Sequence, residues 1–179
     1  SSGKSLPDDC DPVFEALAER GGLTPEVRWQ RFDKAVAEQN AAVMRVAAEG
    51  LPPAEQALGD GYADFISNPS DAALQWPKSA RSREVAVQGL AKLGKADPDR
   101  AESLLPRIAG ALDFSEADRG RVLYQVALWT AASYLPGAAR RLAAVPAASY
   151  DDRLHEWQVR EALARSDWKE ALAAIRRMP

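Results

Sequence analysis

The only histidine of this 179-residue chain, His155, stands beside Glu156 and one helical turn from Asp151 and Asp152. An imidazole among carboxylates is suited to general-base work. That chemistry also needs a Ser or Cys nucleophile presented to the base, and no motif supplies one. His155 therefore reads as a surface or capping histidine. Glu102, followed by Ser103, is a second candidate for proton transfer. A catalytic carboxylic acid needs a cleft that raises its pKa, whereas Glu102 falls in the middle of a helical stretch from Asp97 to Gly110. It reads as a solvated helix-face carboxylate. Asp60 and Asp64 are one turn apart and could face a sugar or a metal. Glycoside-cleaving pairs come instead from separate elements across a cleft, so these two also read as a solvated face. Arg140-Arg141 and Arg176-Arg177 lie near helix ends, where cations complement the dipole. The same residues could meet anionic glycan or peptide carboxylates. Of the five tryptophans, Trp29, Trp129 and Trp157 fall on apolar stripes and read as core. Trp76 and Trp168 have more chance of partial exposure, where an aromatic ring can stack on a sugar, although core packing still leads for both. No catalytic, cofactor-binding or metal-ligating residue is assigned.

The composition sets the frame for those side chains. Hydrophobic residues make up 46% and charged residues 27%, a globular balance. Lys+Arg is 23 against Asp+Glu 26, for a net charge of -3, which is not the basic footprint of a nucleic-acid binder. One Cys and one His exclude a Cys/His zinc site built within the chain, and no cofactor is expected. No apolar run reaches the roughly 18 to 20 residues of a membrane-spanning helix. The chain opens without an initiator Met, a charged start or an apolar stretch, and stops directly after a helical pattern. Neither end looks natural, and the expectation is a trimmed or excised piece of a longer protein. Cys10 would be a buried thiol in a reducing compartment and would pair outside the segment in an oxidising one.

The 35 alanines favour helix, and no alternating run of β-branched residues predicts a strand. Helix starts are marked by Asp11-Pro12, Thr24-Pro25, Asn68-Pro69 and Asp97-Pro98. Each sets an oxygen-bearing cap before a proline whose missing N–H costs nothing at that position. Ser115 with Asp118, and Ser149 with Asp152, read as capping boxes with Asp in place of Glu. Gly21-Gly22, Gly50 and Gly94 read as stops. These signals predict ten or eleven helices, near 11–20, 25–39, 41–49, 53–66, 70–75, 79–93, 98–111, 116–134, 137–144, 150–165 and 168–177. In 25–39 the apolar stripe is Val27, Trp29, Phe32 and Val36. Within 116–134 the run Val122, Leu123, Tyr124, Val126, Ala127, Leu128 and Trp129 is apolar almost all round, which predicts a central helix buried between two neighbours.

One internal echo organises this list. Trp29-Gln30, Ala35-Val36-Ala37, Asn40, Ala47-Ala48 and Leu51-Pro52 recur as Trp157-Gln158, Ala162-Leu163-Ala164, Asp167, Ala174-Ile175 and Met178-Pro179, with a single one-residue gap. Each copy spells helix, capped turn, helix, proline. This is the pattern of a tetratricopeptide-like hairpin, although the full 34-residue consensus is not met. Such hairpins bury their faces only by stacking. The predicted fold is therefore all-α, a right-handed superhelix or α-solenoid of antiparallel helix hairpins.

The opening Gly3-Lys4-Ser5-Leu6-Pro7-Asp8-Asp9-Cys10-Asp11-Pro12-Val13-Phe14 is a more specific signal. It resembles a Gly-Lys-Ser-x-Pro-x-x-Cys-Asp-x-x-Phe stretch of the soluble lytic murein transglycosylases. Leu23-Thr24-Pro25 with Arg31, Ala35 and Asn40 resembles the family's next helix pair. Ala101 to Pro106 with Ile108 resembles a helix ending in a Pro-containing turn, and Ser166-Asp167-Trp168 through Met178-Pro179 resembles the short hairpin after it. The match is firmest over 3–40 and weakest over about 50–80. The resemblance implies residues 1–179 to be one superhelical segment of the larger U domain. The parent would be a periplasmic enzyme of a Gram-negative bacterium that cleaves the MurNAc–GlcNAc bond of peptidoglycan to a 1,6-anhydro product. Its catalytic domain would lie elsewhere. Family members carry a Glu-Ser pair with Gly-Leu-Met-Gln downstream. Glu102-Ser103 is followed by Leu104-Leu105-Pro106-Arg107, so no catalytic residue carries over. Implied partners are peptidoglycan glycan strands, through the parent, and the parent's catalytic domain. A partner for Cys10 would lie upstream, outside this chain.

Two other functional classes remain at this stage. A stack of hairpins also suits a helical-repeat adaptor with an extended peptide partner. A small free-standing enzyme using His155 is the third.

Overall fold

The computed structural model describes residues 24–165 and 168–179; the expected helix 11–20, the stops Gly21-Gly22, Cys10, Ser166 and Asp167 lie outside the described residues. Nine α-helices and two short 3-10 turns make up the described chain, with no strand among the described residues. They are α1 (Pro25–Ala37), α2 (Ala41–Ala48), α3 (Pro53–Ser67), α4 (Ala80–Ala96), α5 (Pro98–Leu112), α6 (Glu116–Ala132), α7 (Ala138–Ala144), α8 (Asp152–Ala164) and α9 (Trp168–Arg176), with 3-10 turns at Asp71–Gln75 and Ala147–Ser149. The chain divides into two compact units, one up to Gly89 and one from Leu90.

Local chemistry sets most helix starts. Thr24 accepts from the Val27 N–H at 3.3 Å, Asn40 from Val43 at 3.1 Å and Asp97 from Arg100 at 3.2 Å. At Ser115 both halves of the capping box are made. Its hydroxyl takes the Asp118 N–H at 3.1 Å, and the Asp118 carboxylate takes the Ser115 N–H at 3.0 Å.

Other expectations are corrected. Asn68 closes α3 instead of opening a helix, and Ser70 caps the 3-10 turn through the Ala72 N–H. Asp151, not Ser149, caps α8 by accepting from Leu154. Gly94 does not stop α4, which runs on to Ala96. A Cβ at Gly94 would stand 3.2 Å from Val126 Cγ2, so the glycine marks close helix approach. The helix expected over 98–111 is present, and Pro106 does not end it as the family resemblance implied. The helix continues through it to Leu112, with the proline on the exposed face and no N–H to give the Glu102 carbonyl.

In the first unit α2 packs on both α1 and α3. The core is built from Phe32, Met44, Ala48, Tyr62, Phe65 and Ile66. Its aromatic rings interlock: Trp29 meets Phe32 edge-on at 5.0 Å, Phe32 lies 6.0 Å from Tyr62, and Trp76 meets Tyr62 at 4.7 Å and Phe65 at 5.0 Å. Trp76 thus belongs to the packing of this unit. The buried Tyr62 hydroxyl pairs with Ser82 Oγ at 2.6 Å, so the core carries no orphan phenol there. Val27, expected on the apolar stripe, is exposed; Ala35 takes its place on the buried face.

In the second unit α6 is central, packing on α5, α7, α8 and the 3-10 turn at Ala147–Ser149. Its buried residues include Gly120, Val122, Val126, Ala127, Leu128 and Ala131, which agrees with a segment apolar almost all round. The two echoed hairpins, α1–α2 and α8–α9, each form a packed helix pair. Ala35 and its counterpart Ala162 are both buried, where a small side chain lets backbones approach.

Candidate functional site

The residues singled out for chemistry fall into two clusters of the second unit and one of the first. The most ordered cluster joins α5, α6 and α7. Arg141 is only 5% exposed, far from the solvated helix-end cation that its sequence suggests. Its guanidinium donates to Thr130 Oγ1 at 2.9 Å, Asp99 Oδ1 at 2.5 Å and Glu102 Oε2 at 3.2 Å. Arg140 meets the same Glu102 through two bonds, at 2.9 and 3.2 Å. Thr130 in turn donates to the Val126 carbonyl at 2.5 Å. The guanidinium's flat fork lets one cation tie three helices while its stem stays in apolar surroundings.

This geometry decides the role of Glu102. Hydrogen bonds from Arg140 and then burial, Arg141 and the two positive charges act on it, and the net effect is to lower its pKa below the ordinary carboxylate value. Such a group is ionised at neutral pH and has no proton to give, the opposite of what a general acid requires. Glu102 is therefore a structural anion, and its expected role as a freely solvated carboxylate is corrected.

The second cluster surrounds His155. The imidazole is half-buried, and its ring lies 4.7 Å from that of Tyr150. It does not cap α8, because Asp151 does. One Asp151 oxygen takes the Leu154 N–H at 3.0 Å and the other takes the Tyr124 hydroxyl at 2.6 Å. Burial and the neighbouring Asp151 carboxylate push the Tyr124 phenol up to about 12. Asp151 is thus engaged on both oxygens and does not act as an orienting partner for His155. The His155 Nδ1 and the Tyr150 hydroxyl are both buried with no hydrogen-bond partner. Both residues line an open cleft of about 530 Å³, together with Leu142, Val145, Gln158, Glu170 and Arg177. Sequence reasoning singled out His155, and Arg177 as one of a basic pair, but missed Tyr150, and it did not bring the three together, because they come from different parts of the chain and share no motif.

In the first unit Arg81 makes a two-point pair with Asp33, at 2.7 and 3.1 Å, and lies 4.3 Å over the Trp29 ring. Trp29 itself donates to Glu55 at 3.1 Å. Asp64 pairs with Arg45 at 2.8 Å on an exposed face, so Asp60 and Asp64 do not converge on a common ligand position. Trp129 and Trp157 are half-buried, not fully core, and each carries a cation over its ring: Lys95 at 4.8 Å and Arg160 at 4.9 Å. Trp168 opens α9, and its side chain lies outside the described residues. No group of three or more His, Cys, Asp or Glu poised for a metal occurs among the described residues. No described helix is long and apolar enough to cross a membrane.

No family model matches the sequence. The chain is 24% identical over 132 residues to the soluble lytic murein transglycosylase of Escherichia coli K12, a stretch that is 72% of this chain and 20% of that protein. It spans about a fifth of the length of that relative. Among solved structures, 99% of the chain superposes on 29% of an inactive mutant of the lytic transglycosylase Slt from Pseudomonas aeruginosa, at 28% identity and a TM-score of 0.74. The 70-kDa soluble lytic transglycosylase Slt70 of Escherichia coli shares the fold over the same fractions, at 22% identity and a TM-score of 0.82. In sequence and in fold, the chain resembles a helical segment that makes up a fifth to three tenths of the soluble lytic murein transglycosylases.

Proposed function

We propose that this chain is a non-catalytic, superhelical segment of a soluble lytic transglycosylase, continuous over residues 1–179, and that it serves as scaffold and guide for a glycan strand. The parent would act in the periplasm of a Gram-negative bacterium, cutting MurNAc–GlcNAc bonds to 1,6-anhydro products with a catalytic domain outside this segment. The observation that carries the reading is the likeness of 99% of the chain to one part of the Pseudomonas aeruginosa enzyme, at 28% identity. The side chains agree with it. The proton-transfer candidate Glu102 is held ionised by two arginines, Asp151 caps a helix, and Asp64 and Asp33 are engaged in ion pairs.

Co-sedimentation with purified sacculi tests the guide role. The expected result is saturable retention that soluble glycan fragments compete away. Absence of retention, together with stoichiometric capture of one periplasmic protein, would replace this reading by that of a helical-repeat adaptor.

A further inference from the structure

Tyr134 stands just past the C-terminus of α6 with a left-handed backbone, φ 54°, and a side chain 87% exposed. A bulky residue there costs free energy that glycine would not, and an exposed ring recovers little of it by burial. The ring is nonetheless firmly mounted. The Tyr134 N–H donates to the Ala131 carbonyl at 3.0 Å, and the Leu135 N–H donates to the Thr130 carbonyl at 2.9 Å. Its neighbour is the half-buried Trp157 of α8, edge-on at 6.3 Å and 76°. Arg160, one turn further along α8, sets its guanidinium 4.9 Å from the centre of the Trp157 ring. It is exposed and has no ion pair among the described residues. Tyr134 and Arg160 thus flank Trp157, on two helices that pack on each other.

This surface has apolar ring faces with polar edges, the phenol hydroxyl and the guanidinium N–H groups. A pyranose divides in the same way, with C–H groups on its face and hydroxyls at its rim, so faces stack while edges hydrogen-bond. Nucleobases also stack on aromatic rings, but their phosphates would meet a chain of net charge -3. A helical peptide asks for a contiguous apolar patch, which a phenol bordered by a guanidinium interrupts. Leu135, next in the chain and 40% exposed, adds only one aliphatic side chain.

We infer that Tyr134, Trp157 and Arg160 form a stacking platform for one pyranose of a glycan strand of N-acetylated hexosamines. The Tyr134 ring takes the C–H face of the sugar, Trp157 backs the tyrosine edge-on, and Arg160 donates to a hydroxyl or acetamido oxygen. The inference rests on the reading of the chain as a glycan guide and gives that role a location.

The test is an NMR titration of the full chain with a soluble, peptide-free strand of alternating GlcNAc and MurNAc. Saturable shifts are expected at Tyr134, the Trp157 indole and Arg160. Tyr134→Gly should weaken binding about tenfold while leaving the thermal midpoint unchanged or higher, because glycine suits the backbone there. Tyr134→Phe should keep most of the affinity and Arg160→Gln should lose several-fold, whereas Leu172→Ala, at a side chain 54% exposed on α9, should change nothing. Full affinity in Tyr134→Gly, or shifts centred elsewhere, would overturn the platform and leave the guide role standing. Absence of saturable binding would also overturn the platform, and only loss of retention on sacculi would take the guide role with it. The same residues shifting with a helical leucine-rich peptide and not with the strand would give the surface to a protein partner and overturn the inference. If Tyr134→Gly fails to fold, the map of shifts on the unaltered chain decides.

Discussion

Replacing Arg141 separates two contributions that usually travel together: the packing of a long stem and the bonds of a buried charge. Arg141→Ala removes two buried methylenes, Cγ and Cδ, worth about 1.6 kcal/mol at ~0.8 kcal/mol each. The lost hydrogen bonds add less, because each partner keeps an alternative. Asp99 is 83% exposed and is rehydrated, Glu102 keeps Arg140, and Thr130 keeps the Val126 carbonyl. The total is about 2 kcal/mol, or roughly 4–8 °C in melting temperature for a chain of this size. Arg141→Met restores most of the stem without the charge, and should cost no more than about 1 kcal/mol, since Asp99 is exposed to water, Glu102 keeps Arg140 and Thr130 keeps the Val126 carbonyl. Urea unfolding followed by tryptophan fluorescence measures both variants. If methionine proves as costly as alanine, the guanidinium's bonds dominate and the packing argument fails.

The same network predicts a pH dependence. The folded-state pKa of Glu102 is lowered, so its contribution is full above the unfolded value near 4.5 and is lost as pH falls below that through the folded value. Glu102→Gln should flatten the acid limb of stability, and an unchanged limb would count against the assignment. Ser115→Ala should cost about 1 kcal/mol by opening the capping box, read as a lower urea midpoint. Gly59→Ala should destabilise by roughly 1–3 kcal/mol, because its Cβ would stand 2.9 Å from the buried Ala48 Cβ. Gly110→Ala should stabilise by roughly 0.5–1 kcal/mol, since a Cβ there meets nothing within 4 Å and the helix gains propensity.

The helices were legible because their signals are local. Thr24, Asn40, Asp97 and Ser115 each cap a helix through the backbone N–H three residues on, and a window of sequence holds the whole interaction. The apolar run from Val122 to Trp129 likewise reports a burial that the neighbours then supply. Long-range partners were not legible. Arg140-Arg141 looks like any helix-end pair until Glu102 and Asp99, about 40 residues earlier, come alongside. Three helix ends use left-handed residues that are not glycine, Gln39, Asp113 and Tyr134, each at a cost of roughly 1–2 kcal/mol that composition gives no reason to expect. At Gln39 the compensation comes from Gln88, which its side chain meets at 3.2 Å on the carbonyl and 3.1 Å on the amide oxygen. The internal echo shows the same division. It placed both hairpins, yet Val36 and Ala48 are buried while their counterparts Leu163 and Ile175 are exposed, because burial depends on what lies against the second face. The His155 cleft needed Tyr150 and Arg177 brought in from separate elements, which no spacing announces.

The claim that this helical piece does no bond-breaking of its own is tested most directly by incubating purified sacculi with the chain and resolving the soluble products by chromatography and mass spectrometry. The prediction is no 1,6-anhydro muropeptides above the level of a heat-unfolded control. Their release in proportion to the amount of folded chain would contradict it.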